Sequence, residues 1–260
     1  MLKYNNIKKN NILINEENTH KFGDNITEIT KKMLEPIRKN KSIKHISVPS
    51  SVTKIRAWAF GSSGVASITI PSSVTEIGGM AFFSCKELTS VVISSGIRKI
   101  ERCVFSGCEA LSTVIIPNSV TLIQQMAFYN CTGLTSLVIS NRVTKIEGGA
   151  FSNCKGLTSI IIPSSVREIE RCVFLGCKEL LFIIIPEALI SNDMNLWASR
   201  GINLNKTELV TESILSSWGR ANTLSNTYSY HELSTLYKLS KDNSFTPSWS
   251  EISMLVPNIS

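Results

Sequence analysis

Between residues 43 and 190 the hydrophobic positions of this chain recur about every 23 residues. Phe60, Phe82, Phe105, Phe128, Phe151 and Phe174 mark the step, at intervals of 22, 23, 23, 23 and 23. Three further ladders keep the same phase. They are Ile55, Ile77, Ile100, Ile123, Ile146, Ile169; Val52, Val74, Ile97, Val120, Val143, Val166; and Leu88, Leu111, Leu134, Leu157, Leu180. A cysteine stands three residues after five of the phenylalanines, at Cys85, Cys108, Cys131, Cys154 and Cys177. A unit this short cannot bury its own apolar face, so neighbouring units must stack into a solenoid.

One unit reads Leu134-x-x-Leu137-x-Ile139, then Val143-x-x-Ile146, then Ala150-Phe151-x-x-Cys154. The first piece predicts a short strand, ended by a proline or serine; proline cannot donate to a ladder. Val-x-x-Ile predicts a second extended segment on the opposite wall. Ala-Phe-x-x-Cys predicts a turn or short helical piece that closes the coil. Inward side chains then rest on their equivalents about 4.8 Å away, one coil below.

Residues 70–91, IPSSVTEIGGMAFFSCKELTSV, carry the full motif Ile-Pro-x-Ser-Val-Thr-x-Ile-x-x-x-Ala-Phe-x-x-Cys-x-x-Leu. This motif resembles the BspA-like leucine-rich repeats of the Treponema pallidum type, and the resemblance covers about 43–190. It implies an α+β repeat solenoid of 23-residue leucine-rich-repeat coils with a concave parallel sheet. It also implies a binding or adhesion scaffold, and similarity to secreted bacterial effectors carried into host cells by specialised secretion systems.

The ends of the array depart from the repeat. In residues 24–40, Ile26, Ile29, Met33 and Ile37 lie three to four apart, which predicts a helical cap that Pro36 bends or stops. Ile43, Ile46 and Val48 then predict the first strand. The unit through Phe60 is degenerate, with Ser63-Gly64-Val65 where other units have Cys-x-x-Leu. After Pro186 the period stops. Asn205-Lys-Thr-Glu208, Ser229-Tyr-His-Glu232 and Ser248-Trp-Ser-Glu251 fit helix starts, and Gly201 and Gly219 fit helix ends. The expected organisation is a basic N-terminal segment and helical cap (1–42), the repeats (43–190), and a C-terminal helical cap or small helical module (191–260).

Charge changes this picture little. Of the +7 net charge, residues 1–60 carry 12 Lys/Arg against 5 Asp/Glu, while the repeats are nearly balanced. No nucleic-acid binding is expected, because no basic patch interleaves aromatics. No apolar run approaches the length of a membrane span. The N-terminus lacks the apolar core of a Sec signal, so the expected location is cytoplasmic, or a host cell reached by specialised secretion.

Candidate chemistry is sparse. His20, His45 and His231 lie in three separate regions, and no zinc-type spacing or phosphate loop occurs. The seven cysteines include no CxxC pair. Their ladder position reads as small, buried and reduced, although stacked Cα atoms about 5 Å apart would permit disulfides in an oxidising compartment. Cys103 and Cys172 sit two residues before their phenylalanines, where other units carry Trp58, Met80, Met126 or Gly149, and packing is the expected role. We expect neither enzyme activity nor a cofactor nor a metal.

Specificity should then lie in outward residues. Alternation along the strands assigns one outward row to Ser47, Thr69, Val92, Ile115, Val138, Ile161 and Ile184. The neighbouring row holds Ser67, Ser90, Thr113, Ser136, Ser159 and Phe182. Five consecutive aliphatics in the first row form a candidate partner-binding stripe. Strand propensity alone, or coverage by the C-terminal region, would also account for it. The opposite wall carries Lys54, Glu76, Lys99, Leu122, Lys145 and Glu168, a solvated face. The expected function is a non-enzymatic protein-binding scaffold, monomeric or weakly self-associating. Two alternatives stand beside it: a C-terminal adaptor module that the repeats merely target, and a self-assembling structural solenoid.

Overall fold

The computed structural model describes residues 7–9, 12–14, 18–35, 42–189 and 194–211. A short antiparallel hairpin of β1 (Ile7–Lys9) and β2 (Ile12–Ile14) comes first. The solenoid follows, each coil giving one front strand and then one back strand. The first pairs are β3 (Thr19–Lys21) with β4 (Glu28–Ile29), β5 (His45–Ser47) with β6 (Lys54–Ile55), and β7 (Ser67–Thr69) with β8 (Glu76–Ile77). Then come β9 (Ser90–Val92) with β10 (Lys99–Ile100), β11 (Thr113–Ile115) with β12 (Leu122–Ile123), and β13 (Ser136–Val138) with β14 (Lys145–Ile146). Among the described residues the last front-and-back pair is β15 (Ser159–Ile161) with β16 (Glu168–Ile169), and the front wall continues through β17 (Phe182–Ile185) and β18 (Glu208–Thr211). All pairings after the hairpin are parallel and in register. The hydrogen-bonded ladder is interrupted in front between β13 and β15, and behind between β8 and β10.

The strands are short because corners follow at once. Pro49, Pro71, Pro117 and Pro163 end front strands, and each accepts a turn-closing bond from the valine three residues on, at 3.0–3.1 Å. Where Ser94 and Ser140 replace proline, the same bond lengthens to 3.4 and 3.3 Å. A proline that fixes its own φ makes the tighter corner.

The third side of each coil has a backbone built for stacking. Residues two before and two after each phenylalanine adopt positive φ: Trp58 and Ser62, Met80 and Ser84, Cys103 and Gly107, Met126 and Asn130, Gly149 and Asn153, Cys172 and Gly176. The alternation aims every second N–H at the next coil. Around Phe128, the N–H groups of Met126, Phe128 and Asn130 donate to Gly148, Ala150 and Ser152, at 3.1, 2.8 and 2.8 Å. Cys103 and Cys172 are therefore left-handed corner residues, which explains why they stand outside the cysteine ladder.

Inside, like rests on like. The six phenylalanine rings stack with centroids 4.9, 5.3, 5.4, 5.6 and 6.0 Å apart and planes within 17° of parallel. Each ladder cysteine donates its S–H to the carbonyl of the phenylalanine of the preceding coil: Cys85 to Phe60, Cys108 to Phe82, Cys131 to Phe105, Cys154 to Phe128, Cys177 to Phe151, at 3.0–3.2 Å. The slot therefore requires a small apolar group that also carries one donor. Burial pushes the thiols of Cys108, Cys131 and Cys154 well above the usual range and that of Cys177 up to about 12. None of the seven cysteines forms a disulfide, and Cys172 alone is exposed.

Two expectations need correction. The N-terminal stretch 24–35 is not a helical cap but another coil. Its β3 and β4 pair with β5 and β6, a 3-10 turn covers Lys31–Leu34, and Leu34 is buried where later coils place phenylalanine. The front wall therefore begins before Ile43, Ile46 and Val48. At the other end the described residues hold one six-residue helix, α1 (Met194–Ser199), and Asn205–Glu208 leads into a strand rather than a helix. Thr207 donates to Leu180 O at 2.8 Å, tying the start of that strand to the preceding coil. Gly201 does follow a helix end, with φ +88 and no room for a Cβ against the Leu175 backbone. The start signals at Ser229 and Ser248 and the stop at Gly219 lie outside the described residues.

The last back strand is closed by a side chain. In inner coils the carbonyl of the ladder isoleucine accepts the next coil's N–H, as Ile123 accepts from Glu147 and Ile146 from Glu170, at 2.9 and 3.0 Å. At Ile169 the donor is Arg200 Nε, at 3.0 Å, with its guanidinium 4.6 Å from the ring of the buried Trp197.

Three outcomes follow. Phe128→Ala removes the middle of the ring stack and should cost about 3–5 kcal/mol in urea unfolding, with a broader transition as the two halves uncouple. Arg200→Ala orphans the Ile169 carbonyl and should cost about 2 kcal/mol by the same measurement. Maleimide should label only Cys172 rapidly in the native protein and all seven thiols after unfolding; equal rates in the native state would contradict the buried ladder.

Candidate protein-binding face

On each front strand the middle residue turns inward, so Ile46, Ile68, Val91, Val114, Leu137, Ile160 and Ile183 are core. The residues on either side turn outward and line up across the sheet by the parallel register. The first outward row begins at Lys21 and ends at Val210, one rung beyond the expected row at each end. Its character changes along the array. Lys21, Ser47 and Thr69 are exposed and polar. Val92 and Ile115 are exposed and apolar, at 47% and 64%. Val138 and Ile161 are half-buried, and Ile184 and Val210 are fully buried.

The neighbouring row follows the same trend. His45, Ser67 and Ser90 are half-buried and Thr113 is exposed, whereas Ser159 and Phe182 are buried. Ser136 lies on the same rung series, in β13. His45 Nδ1 and Ser67 Oγ share a 2.7 Å hydrogen bond, and burial holds the His45 imidazole below its usual pKa. The expectation that Ile184, Phe182 and Ser159 are outward and free is thus corrected. They point outward, but they are covered, and the open apolar part of the face narrows to Val92 and Ile115 with Ser90 and Thr113 beside them.

The back wall is ionic. Lys54 pairs with Glu76 at 3.1 Å, and Lys145 reaches Glu168 at 3.1 Å and Glu170 at 2.8 Å. The hydrogen bond from Lys145 holds the Glu170 carboxyl below its usual range. Exposed pairs of this kind contribute little stability each and keep the face wet.

Sequence reasoning missed one depression on the turn side. Gly149 occupies the left-handed position that carries Trp58, Met80, Met126 or Cys172 in other coils, so one large side chain is absent from that row. A cavity of about 650 Å³ opens there, lined by Met126, Tyr129, Gly149, Ser152, Cys172 and Leu175 among others. The signal was the glycine itself, visible as the one gap in the ladder. Among the described residues, no three of His, Cys, Asp and Glu group as a metal site. No described helix is long and apolar enough to cross a membrane.

The structure is similar to a leucine-rich repeat protein from Bacteroides ovatus, with a TM-score of 0.51 and 21% identity over 76% of this chain and 63% of that one. A leucine rich cell surface protein from Faecalibacterium prausnitzii is 25% identical, with a TM-score of 0.45 over 82% of this chain and 63% of that one. A Treponema pallidum leucine rich repeat protein is 23% identical, with a TM-score of 0.39 over 64% of this chain and 72% of that one. At 21% identity the Bacteroides likeness shows the fold alone, and the chain spans 63% of the length of the first two proteins. No curated protein matches the chain significantly. The model of the BspA type leucine rich repeat region matches residues 37–156 and 99–215, well over half of the chain. With the stacked coils and their motif already in place, the chain belongs to the BspA-type leucine-rich repeat family.

Proposed function

We propose that this protein is a non-enzymatic scaffold that docks a protein partner on the front sheet, through Val92 and Ile115. Leucine-rich-repeat solenoids of this family are typical protein-binding scaffolds. The observation that carries the local reading is the 64% exposure of Ile115 beside the 47% exposure of Val92, on adjacent strands. Exposed aliphatics on neighbouring rungs make a continuous apolar patch, and polar residues rim it: Thr69 and Ser90 toward one end, Thr113 beside the centre. The half-buried Val138 and Ile161 extend the same row toward its covered end.

Burial of the ladder thiols supports a scaffold over a catalyst. His20 lies in β3 and His45 in β5, each with its pKa lowered by burial, while His231 lies outside the described residues. Delivery to a host cell and a role in infection are the finest part of this proposal, and they rest on likeness to short repeat proteins. The adaptor alternative concerns residues 191–260, of which 194–211 are described and hold one short helix and an edge strand.

The double variant Val92→Ser/Ile115→Ser should fold normally, because both side chains project into solvent. Its Tm should stay within about 2 °C of the parent. Affinity capture with parent and variant in parallel should show partners retained by the parent and lost by the variant. Equal capture by both would remove the front face from consideration. Sedimentation of the parent alone tests the self-assembling alternative, which predicts a mass well above that of one chain.

A further inference from the structure

Two rows of residues flank the phenylalanines on the turn side. One holds the left-handed residues two before each phenylalanine. The other holds the residues one after it: Gly61, Phe83, Ser106, Tyr129, Ser152 and Leu175. The coil of Phe60 shows how the rows fit together. The Trp58 ring lies over Gly61, where a Cβ would come within 2.9 Å of Trp58 Cε3, and its centroid is 5.1 Å from that of Phe83 in the next coil. A side chain of the first row thus fills the room over the second row of its own coil and against that of the next. At Gly149 this side chain is missing. The equivalent room lies over Ser152 and against Leu175, and it is the cavity of about 650 Å³, with Leu175 52% exposed at its edge.

The size falls within the range of small-molecule sites, about 300–1,000 Å³. The walls say what kind of molecule fits. Met126 and Cys172 bring two sulfur atoms and Tyr129 a ring, groups that pack well against an aromatic guest. Two charged residues line the cavity, and only one of them is engaged. Glu170 takes Lys145 Nζ at 2.8 Å and the Gly148 N–H at 2.8 Å. Arg171 is exposed and joins no ion pair among the described residues. The charge left over at this hollow is therefore positive, and a guanidinium is matched best by a planar carboxylate.

We propose that the cavity at Gly149 binds a small aromatic carboxylate, with its ring seated as Trp58 is seated in its own coil and its carboxylate met by Arg171. The site lies on the turn side, away from Val92 and Ile115, and stands without the docking reading.

Indole-3-propionate serves as the probe and indole-3-propionamide as its uncharged match. Isothermal titration of the full chain should give saturable binding of the acid and about tenfold weaker binding of the amide. Saturating acid should also slow maleimide labelling of Cys172 severalfold, because that thiol lines the cavity. Gly149→Met places there the side chain that Met80 and Met126 carry on the same left-handed backbone, at φ 60 and 55. The added Cβ would come no nearer than 3.4 Å to Met126, so the variant should fold. It should lose both the binding and the effect of the acid on Cys172. Arg171→Gln should bind acid and amide alike. No saturable binding by the parent, or undiminished binding by Gly149→Met, would overturn the proposal. So would equal affinity of the parent for acid and amide, or an Arg171→Gln protein that still prefers the acid. The comparison of acid with amide uses the unsubstituted chain, and so holds even for a variant that fails to fold.

Discussion

Parallel strands accept hydrogen bonds from one another at about 4.8 Å, and every coil of this protein is held to its neighbour at that distance. At such a spacing an inward side chain rests first on its own counterpart one coil away. Phenylalanine lies on phenylalanine, and isoleucine on isoleucine. Threonine hydroxyls donate to the backbone carbonyl of the preceding coil's threonine, as Thr75 does to Thr53 and Thr144 to Thr121. The repetition is thus a packing requirement before it is a pattern. A substitution that changes one rung is felt by two neighbours and by little else.

The same constraint gives the cysteines their place. Tight stacking at the third side leaves the phenylalanine carbonyl facing inward, where no water reaches it. A buried carbonyl without a donor is costly. A thiol is small enough for the slot, apolar enough for its surroundings, and carries the one hydrogen needed. Valine or alanine would fill the volume and leave the oxygen alone. In the first phenylalanine-bearing coil Ser63 stands at this position, within 3.5 Å of the Cys85 sulfur, and keeps the polar character of the slot.

The fold of the repeats was legible because strict periodicity over many units admits one architecture. The flanks were misread for a physical reason. Within a coil, Val-x-x-Ile-x-x-x-Ala-Phe places apolar residues three, then four, apart, which is also the spacing of one helix face. Ile26, Ile29 and Met33 satisfy both patterns, and without the phenylalanine and cysteine nothing in 24–35 chose between them. The step from Ile29 to Ile55 is 26 residues, as is that from Phe182 to Glu208, so the 23-residue phase could not be carried across either end. Alternation along the strands told which way Val92, Ile115 and Ile184 point. It could not tell what lies over them, because burial on an outward face depends on chain far away in sequence.

The phenylalanine stack opens steadily, from 4.9 Å and 2° at one end to 6.0 Å and 17° at the other. The backbone that carries the rings does not spread with them: Phe60 N–H donates to Ala81 O at 2.7 Å near one end and Phe151 N–H to Val173 O at 3.0 Å near the other. The rings part by tilting on a backbone that keeps its spacing. Dispersion contact between neighbouring rings therefore weakens toward the C-terminal coils. There the hydrogen-bonded backbone, more than the ring stack, couples one coil to the next.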